Sequence, residues 1–236
     1  MKTKIFLLFF LISLSSFGQK FKQERYKNFD KRMFHFGFML GFNVSDFTLY
    51  QEVDAYSKYG LVSLTTKSSP GGQLGILTTM KLGTPVLRLR FLPTLSFQER
   101  ILNYKSLDSV NFMKGVGEER VNSTNIDFPL MLQFRTKRYN NFAAYALFGG
   151  QYSIDLQSQE KASQNYIDPF VKIKRFDLQG QIGGGIEFFA PFFKVGLELK
   201  YSHGFKSSFV QDFTPVSKPI NQLYNKGWWF SIIFEG

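Results

Sequence analysis

The sequence predicts an all-β protein, an eight-stranded antiparallel β-barrel crossing a bacterial outer membrane behind a cleaved signal peptide. Three observations predict it. The chain opens on an export leader. After the leader, eight segments alternate apolar and polar residues with period two, which a helix cannot do. The connections between those segments alternate short and long, three short against four long. Tight turns on one side and long loops on the other are how a barrel sits in an outer membrane.

Residues 1–18 read MKTKIFLLFFLISLSSFG. Lys2 and Lys4 form a basic start, Ile5 to Leu14 an apolar core, and Ser15, Ser16 and Gly18 a small-residue exit before Gln19. This is the pattern of a Sec signal peptide cut after Gly18. The apolar run is too short for the roughly 20 residues that a spanning helix needs. No later stretch reaches 18 uninterrupted apolar residues. Residues 19–33 follow as a basic periplasmic arm, expected to be solvated, and residues 34–236 as the barrel.

The first strand, residues 34–47, sets Phe34, Phe36, Phe38, Leu40, Phe42 and Val44 on one face. His35, Gly37, Met39, Gly41, Asn43 and Ser45 take the other. A long loop is expected over 48–69. The second strand, 71–82, carries Leu74, Ile76, Thr78, Met80 and Leu82 outward and ends in a Gly83-Thr84-Pro85 turn. The third, 86–101, opposes Leu87, Leu89, Phe91, Leu95 and Phe97 to Arg88, Arg90, Thr94, Ser96 and Gln98. Pro93 lacks a ladder donor, so a bulge is expected there.

A second long loop covers 102–120. The fourth strand, 121–135, puts Ile126, Phe128, Leu130, Leu132 and Phe134 outward and Asn125, Asp127, Gln133 and Arg135 inward. A short turn at 136–141 leads to the fifth strand, 142–154, whose Ala- and Gly-rich sequence leaves its faces open. After a loop over 155–172, the sixth strand sets Phe176, Leu178, Ile182, Ile186 and Phe188 against Asp177, Gln179, Gln181 and Glu187. Ala190-Pro191 turns into the seventh, with Phe193, Val195, Leu197, Leu199 and Tyr201 outward and Lys194, Gly196, Glu198 and Lys200 inward. A loop over 203–223 precedes the eighth strand, 224–235, whose Trp228 and Trp229 are expected near a membrane interface.

Composition agrees with this reading. Aromatics make up 18% of the chain and Phe alone numbers 29, more than a soluble core needs, which suits a lipid-facing band. Cysteine is absent, so an exported protein of this size must rely on closed hydrogen bonding rather than disulfides. The net charge of +11 would suit nucleic acid, but export argues instead for anionic lipid or an acidic partner.

Eight strands of this OmpA or OmpX shape enclose a space filled by side chains, not a wide pore. The candidate site is therefore a lumen charge network: Arg88, Arg90, Asp127, Arg135, Asp177, Glu187, Lys194, Glu198 and Lys200. Mixed buried charges have to pair, because an unpaired one is costly. The bland reading is a structural plug and the sharp one a proton or ion path. Enzyme signals are weak. His35 and His203 are the two histidines, neither lies in HExxH, and no GxSxG elbow appears. Ser202 adjoins His203, but neighbours on a strand face opposite ways. Gly183-Gly184-Gly185 sits within a strand, where it offers no helix N-terminus for phosphate. No catalytic residue, metal, cofactor, nucleic acid or small-molecule substrate is expected.

Several stretches carry a family resemblance. They are HFGFMLGFNVSDF (35–47), LRLRFLPTLSFQERILNY (87–104), STNIDFPLMLQFRTKRYNN (123–141), AYALFGGQYSIDL (144–156), KIKRFDLQGQIGGGIEFFAPFFKVGLELKYSHG (172–204) and WWFSIIFE (228–235). In this order they make the chain resemble the PorT family, called SprT in gliding bacteria, of the Bacteroidetes. A leader ending in a small residue before Gln is typical of exported proteins there. The resemblance implies an outer-membrane component of type IX protein secretion and gliding motility. It would be accessory to export of cargo with C-terminal sorting domains and partnered by lipid and other secretion components. It carries no catalytic residues across. A generic structural or adhesive barrel of the OmpA or OmpX kind stays open beside it.

Overall fold

The computed structural model describes residues 25–26, 28–106, 117–163 and 170–236. The leader and residues 19–24 lie outside the described residues. A one-turn 3-10 helix, Phe29–Lys31, precedes the first strand. The wall is built from β1 (Phe34–Gln51), β2 (Leu61–Lys81), β3 (Leu87–Phe91) with β4 (Thr94–Ser106), β5 (Glu118–Arg135) and β6 (Phe142–Asp155). After the two-residue β7 (Lys172–Ile173) come β8 (Phe176–Phe189), β9 (Lys194–Gly204), the short β10 (Phe209–Val210) and β11 (Ile220–Glu235). A short helix α1 (Ala55–Tyr59) tips the β1–β2 connection.

Every wall strand pairs antiparallel with its sequence neighbour, and β1 pairs with both β2 and β11. The sheet therefore closes on itself. Since β3 and β4 occupy one position between β2 and β5, the ring has eight strand positions. Closure removes the sheet edges that would otherwise recruit another chain. At the closing seam, Phe38 faces Phe234 and Phe42 faces Phe230. Both pairs stack, with ring centroids 4.9 Å and 4.8 Å apart. Cross-strand aromatic pairs of this kind stabilise a ladder directly.

The alternation turns into two surfaces. Phe36, Leu40, Ile76, Leu130, Phe148, Ile182 and Leu197 are exposed on the outside, while Arg90, Gln133, Glu187, Glu198 and Ser202 are buried inside. So large an exposed apolar band is foreign to a soluble monomer. β6, left open by its small residues, turns out to face Ala143, Tyr145, Leu147, Gln151, Ser153 and Asp155 inward.

Three expectations need correcting. The bulge at Pro93 is absent as such. The strand breaks at Leu92 and Pro93, yet Phe91 opposes Leu130 and Thr94 opposes Asp127, so no residue is inserted. Trp229 is not at an interface with its neighbour. Trp228 is exposed, whereas Trp229 points inward and donates to Ser202 Oγ at 2.8 Å. Nor is the first connection a long loop over 48–69. β1 and β2 run on to Gln51 and from Leu61, leaving 52–60 between them. Beyond the lipid-facing band the pattern changes phase: Phe47, Leu61, Leu64, Leu102, Tyr104, Val121 and Leu223 are buried, in one cluster with Val216 and Ile220. An outward-apolar template misses a wall whose apolar face has turned inward.

Glycines let neighbouring strands approach at the seam. A methyl group at Gly41 would collide with the Phe230 carbonyl oxygen on β11, while one at Gly72 meets nothing within 4 Å. Gly41→Ala is therefore expected to lower barrel stability by about 1–3 kcal/mol, the usual cost of overpacking. Gly72→Ala should leave the unfolding midpoint close to wild type. Urea titration of both variants in lipid vesicles, followed by Trp fluorescence, checks the contrast.

Candidate functional site

The short turns at 82–86, 136–141 and 190–193 and the start and end of the wall share one end of the barrel, here the turn end. Inward positions near that end are charged on five different strands. Arg88 comes from β3, Arg135 from β5, Glu187 from β8, Lys194 from β9 and Glu235 from β11. Asp30 enters from below the wall, on the 3-10 helix.

These six groups form one chain of alternating sign. Asp30 Oδ1 pairs with Arg88 at 2.7 Å and with Arg135 at 2.5 Å. Arg135 Nε pairs with Glu187 at 3.0 Å, and Lys194 joins Glu187 at 2.8 Å to Glu235 at 2.7 Å. Three cations meet three carboxylates. A second network lies deeper. Glu198 takes Arg90 at 2.5 Å, Lys200 at 3.0 Å and the Tyr145 hydroxyl at 2.9 Å. Gln133 ties the two together by accepting from Arg90 at 3.2 Å and donating to Glu187 at 2.9 Å.

Of the nine residues expected in the lumen network, seven are joined in these networks: Arg88, Arg90, Arg135, Glu187, Lys194, Glu198 and Lys200. Asp127 and Asp177 sit elsewhere. Asp127 accepts from Ser96 at 2.7 Å, and Asp177 is half-buried, accepting from Gln179 and Asn225. Neither has an ion pair among the described residues. Sequence reasoning missed Asp30, Glu235, Gln133 and Tyr145 as network members. Glu235 shares the inward phase of Ile233 and could have been found by extending the alternation to the end of β11. Tyr145 lies on the strand whose faces were open, and Asp30 lies on no strand at all.

Arg100, also buried, has no carboxylate within ion-pair distance among the described residues. It donates to Ser123 Oγ at 3.2 Å and to Gln98 and lies over the Phe47 ring. Around these charges the middle and loop-end lumen is filled mostly by neutral polar groups. Ser45 donates to Gln98, Gln73 to Ser231 and Gln151 to Ser153. Above them the apolar cluster closes the loop end, and the Tyr104 hydroxyl donates to the Val216 carbonyl at 2.8 Å.

The turn end is closed by the segment expected to be a solvated arm. Phe29 is fully buried, 3.9 Å from the His35 ring and 5.5 Å from the Phe189 ring, centroid to centroid. Its carbonyl accepts from His35 Nε2 at 2.7 Å. The arm reading failed here because charge counting weighed the six Lys and Arg of residues 19–32 and not the single Phe-Asp step that fits the barrel mouth. Ser202 and His203 lie on opposite faces, so they form no pair: Ser202 is buried and accepts from Trp229, and His203 stacks outside on Tyr224.

Two predictions follow from the charge geometry. Glu187→Ala removes one of the three carboxylates that neutralise three cations here, leaving Arg135 to Asp30 and Lys194 to Glu235, and breaking a buried pair in this way typically costs about 3–5 kcal/mol. A matching fall in unfolding free energy, by urea titration in vesicles, is expected. The second concerns Asp30. Burial alone would raise its pKa, but the hydrogen bond and charge of Arg135, with the charge of Arg88, outweigh this and hold the carboxyl below its ordinary value. Its contribution is present above the ordinary carboxylate range and is lost as pH falls through the depressed pKa. A fluorophore on Asn28→Cys, in a chain with no other cysteine, should report release of the segment in acid. With Asp30→Asn it should report release already at neutral pH.

The model of the family described as "Outer membrane protein beta-barrel domain" matches residues 17–210. No curated protein matches the chain. Among solved structures, the outer membrane protein OprG from Pseudomonas aeruginosa aligns at 15% identity, covering 86% of this chain and 94% of that one, with a TM-score of 0.48. Neisserial surface protein A aligns at 7% identity, over 85% and 95%, with a TM-score of 0.41. Ail, the attachment invasion locus protein of Yersinia pestis, solved with the heparin analogue sucrose octasulfate, aligns at 11% identity over 87% and 100%, with a TM-score of 0.40. The match to the family model covers most of the chain, from ahead of β1 through β10, and the structure it falls on is a closed eight-position ring: this chain belongs to the outer membrane protein β-barrel domain family.

Proposed function

We propose that this barrel is an accessory, non-catalytic component of the type IX secretion machinery, with both termini in the periplasm. It would help assemble or hold the apparatus that exports cargo with C-terminal sorting domains, including the adhesins of gliding motility. The support is the ordered set of PorT-like segments, which spans most of residues 35–235. The lumen agrees with an accessory role. Its turn-end charges are paired across the bore, Phe29 closes one end and an apolar cluster the other. A lumen filled in this way has no room for a polypeptide. A contribution to secretion would then run through contacts at the barrel ends or through the lipid-facing wall. Short turns on the periplasmic side, with loops outside, is the orientation usual for such barrels.

A clean deletion in the native host tests the proposal. Sorting-domain proteins should accumulate in the periplasm and disappear from the medium while other outer-membrane proteins stay at wild-type levels. Normal secretion in the deletion strain would leave a structural or adhesive barrel as the better reading.

A further inference from the structure

We propose that the turn-end mouth of the barrel is a binding site for a carboxylate-bearing aromatic peptide segment, which residues 28–31 of the chain itself occupy as an exchangeable ligand. The inference does not depend on the secretion role. The first argument is charge. At the turn end the wall supplies three cations, Arg88, Arg135 and Lys194, against two carboxylates, Glu187 and Glu235. Arg88 is 0% exposed, and Asp30 is its one ion-pair partner among the described residues. The wall by itself thus buries a cation that it does not neutralise, an arrangement that demands an incoming carboxylate.

The second argument is how the segment is read. Phe29 lies among His35, Phe189, Arg88 and Lys194, with the Arg88 Cζ 5.0 Å and the Lys194 Nζ 4.6 Å from its ring centroid. His35 donates to the Phe29 carbonyl and Lys81 Nζ to the Asp30 carbonyl at 3.2 Å. One ring, one carboxylate and two carbonyls of a Phe-Asp step are each met by a side chain of the wall. Arginine clusters recognise acidic peptide motifs in this way elsewhere.

The third argument is how lightly the segment is built in. It pairs with no wall strand among the described residues. Its single 3-10 turn has no side-chain cap at Asn28. Its own backbone bonds, Phe29 to Tyr26 and Lys31 to Asn28, are local. The segment can leave without unpairing the ring, and another chain offering a Phe-Asp step can take its place.

The test uses the full-length chain in lipid nanodiscs. The probe is a fluorescent heptapeptide of residues 26–32, YKNFDKR, with blocked ends. In the Phe29→Ala/Asp30→Asn variant the site is freed, and saturable binding by anisotropy is expected. Wild type should bind at least about tenfold more weakly, because its own segment competes. A peptide with Asn in place of Asp should lose about tenfold or more against the freed site, since the charge-assisted pairs to Arg88 and Arg135 are gone. Adding Arg88→Met to the freed variant should narrow the preference for Asp, with Arg135 alone left to pair with it. A folded variant that binds neither peptide, or both alike, overturns the proposal. If the variant does not fold, the wild-type barrel labelled at Asn28→Cys decides: excess unlabelled peptide should shift the fluorescence, and no shift at millimolar peptide overturns the proposal.

Discussion

A ring of eight strands encloses a bore no wider than the side chains that fill it, so a charge that enters must find a counterion or hydrogen-bond partners there. The rest of the molecule is arranged around that constraint. The wall sends in long cations from β3, β5 and β9 and carboxylates from β8, β9 and β11, so that partners meet across the bore as well as between neighbouring strands. Arg90 on β3 reaches Glu198 on β9, which sits several strand positions away in the ring. Such pairs act as struts. They fix the cross-section in a way that ladder hydrogen bonds, which run only between adjacent strands, cannot.

The same constraint explains what could be read in the sequence. Where a strand faces lipid on one side and the charged bore on the other, the two faces differ sharply. Residues 176–188 and 121–135 are therefore legible from alternation alone, and Arg90, Glu187, Glu198 and Lys200 could be named as inward. Legibility fails where that contrast fails. On β6 the outward Ala144, Ala146 and Gly150 are too small to mark a face, and the inward Tyr145 was lost with them. Past the lipid band β1 stays paired with β11 and β2 with β4, but Phe47 and Leu61 turn to the inside. The period persists there with its apolar phase inverted, and it reads as loop. Asp30 had no period to betray it. Its role depends on two arginines more than 50 residues further along the chain.

The filling also divides the bore into two chemistries. The turn-end half is ionic, an alternating chain from Arg88 to Glu235. The half beyond Lys200 is mostly neutral, built on Ser, Gln and Asn side chains bonded to one another, with Arg100, Asp127 and Asp155 among them. Ionic contacts tolerate little misplacement, because a displaced partner leaves a charge buried alone. Amide and hydroxyl groups can exchange partners at lower cost. The register of the wall is therefore held most firmly at the turn end.

That asymmetry bears on which end can open. The loop-end closure is made by prolongations of β1, β2, β4, β5 and β11 with the chain around Val171 and Val216. Each prolongation is hydrogen-bonded into the ring, so dispersing the cluster means unpairing the wall. The turn-end closure is a single turn that runs into β1 through Arg32 and Met33, with Arg25 ahead of it bonded to Asn141. It is held by one ring, one carboxylate and a few carbonyl contacts. Removing it breaks no ladder, but it leaves Arg88 without a counterion. The barrel is thus most firmly registered at the end where it is most easily unstoppered. What leaves that mouth has to be replaced by a group of the same charge, and so the turn end selects what can enter it.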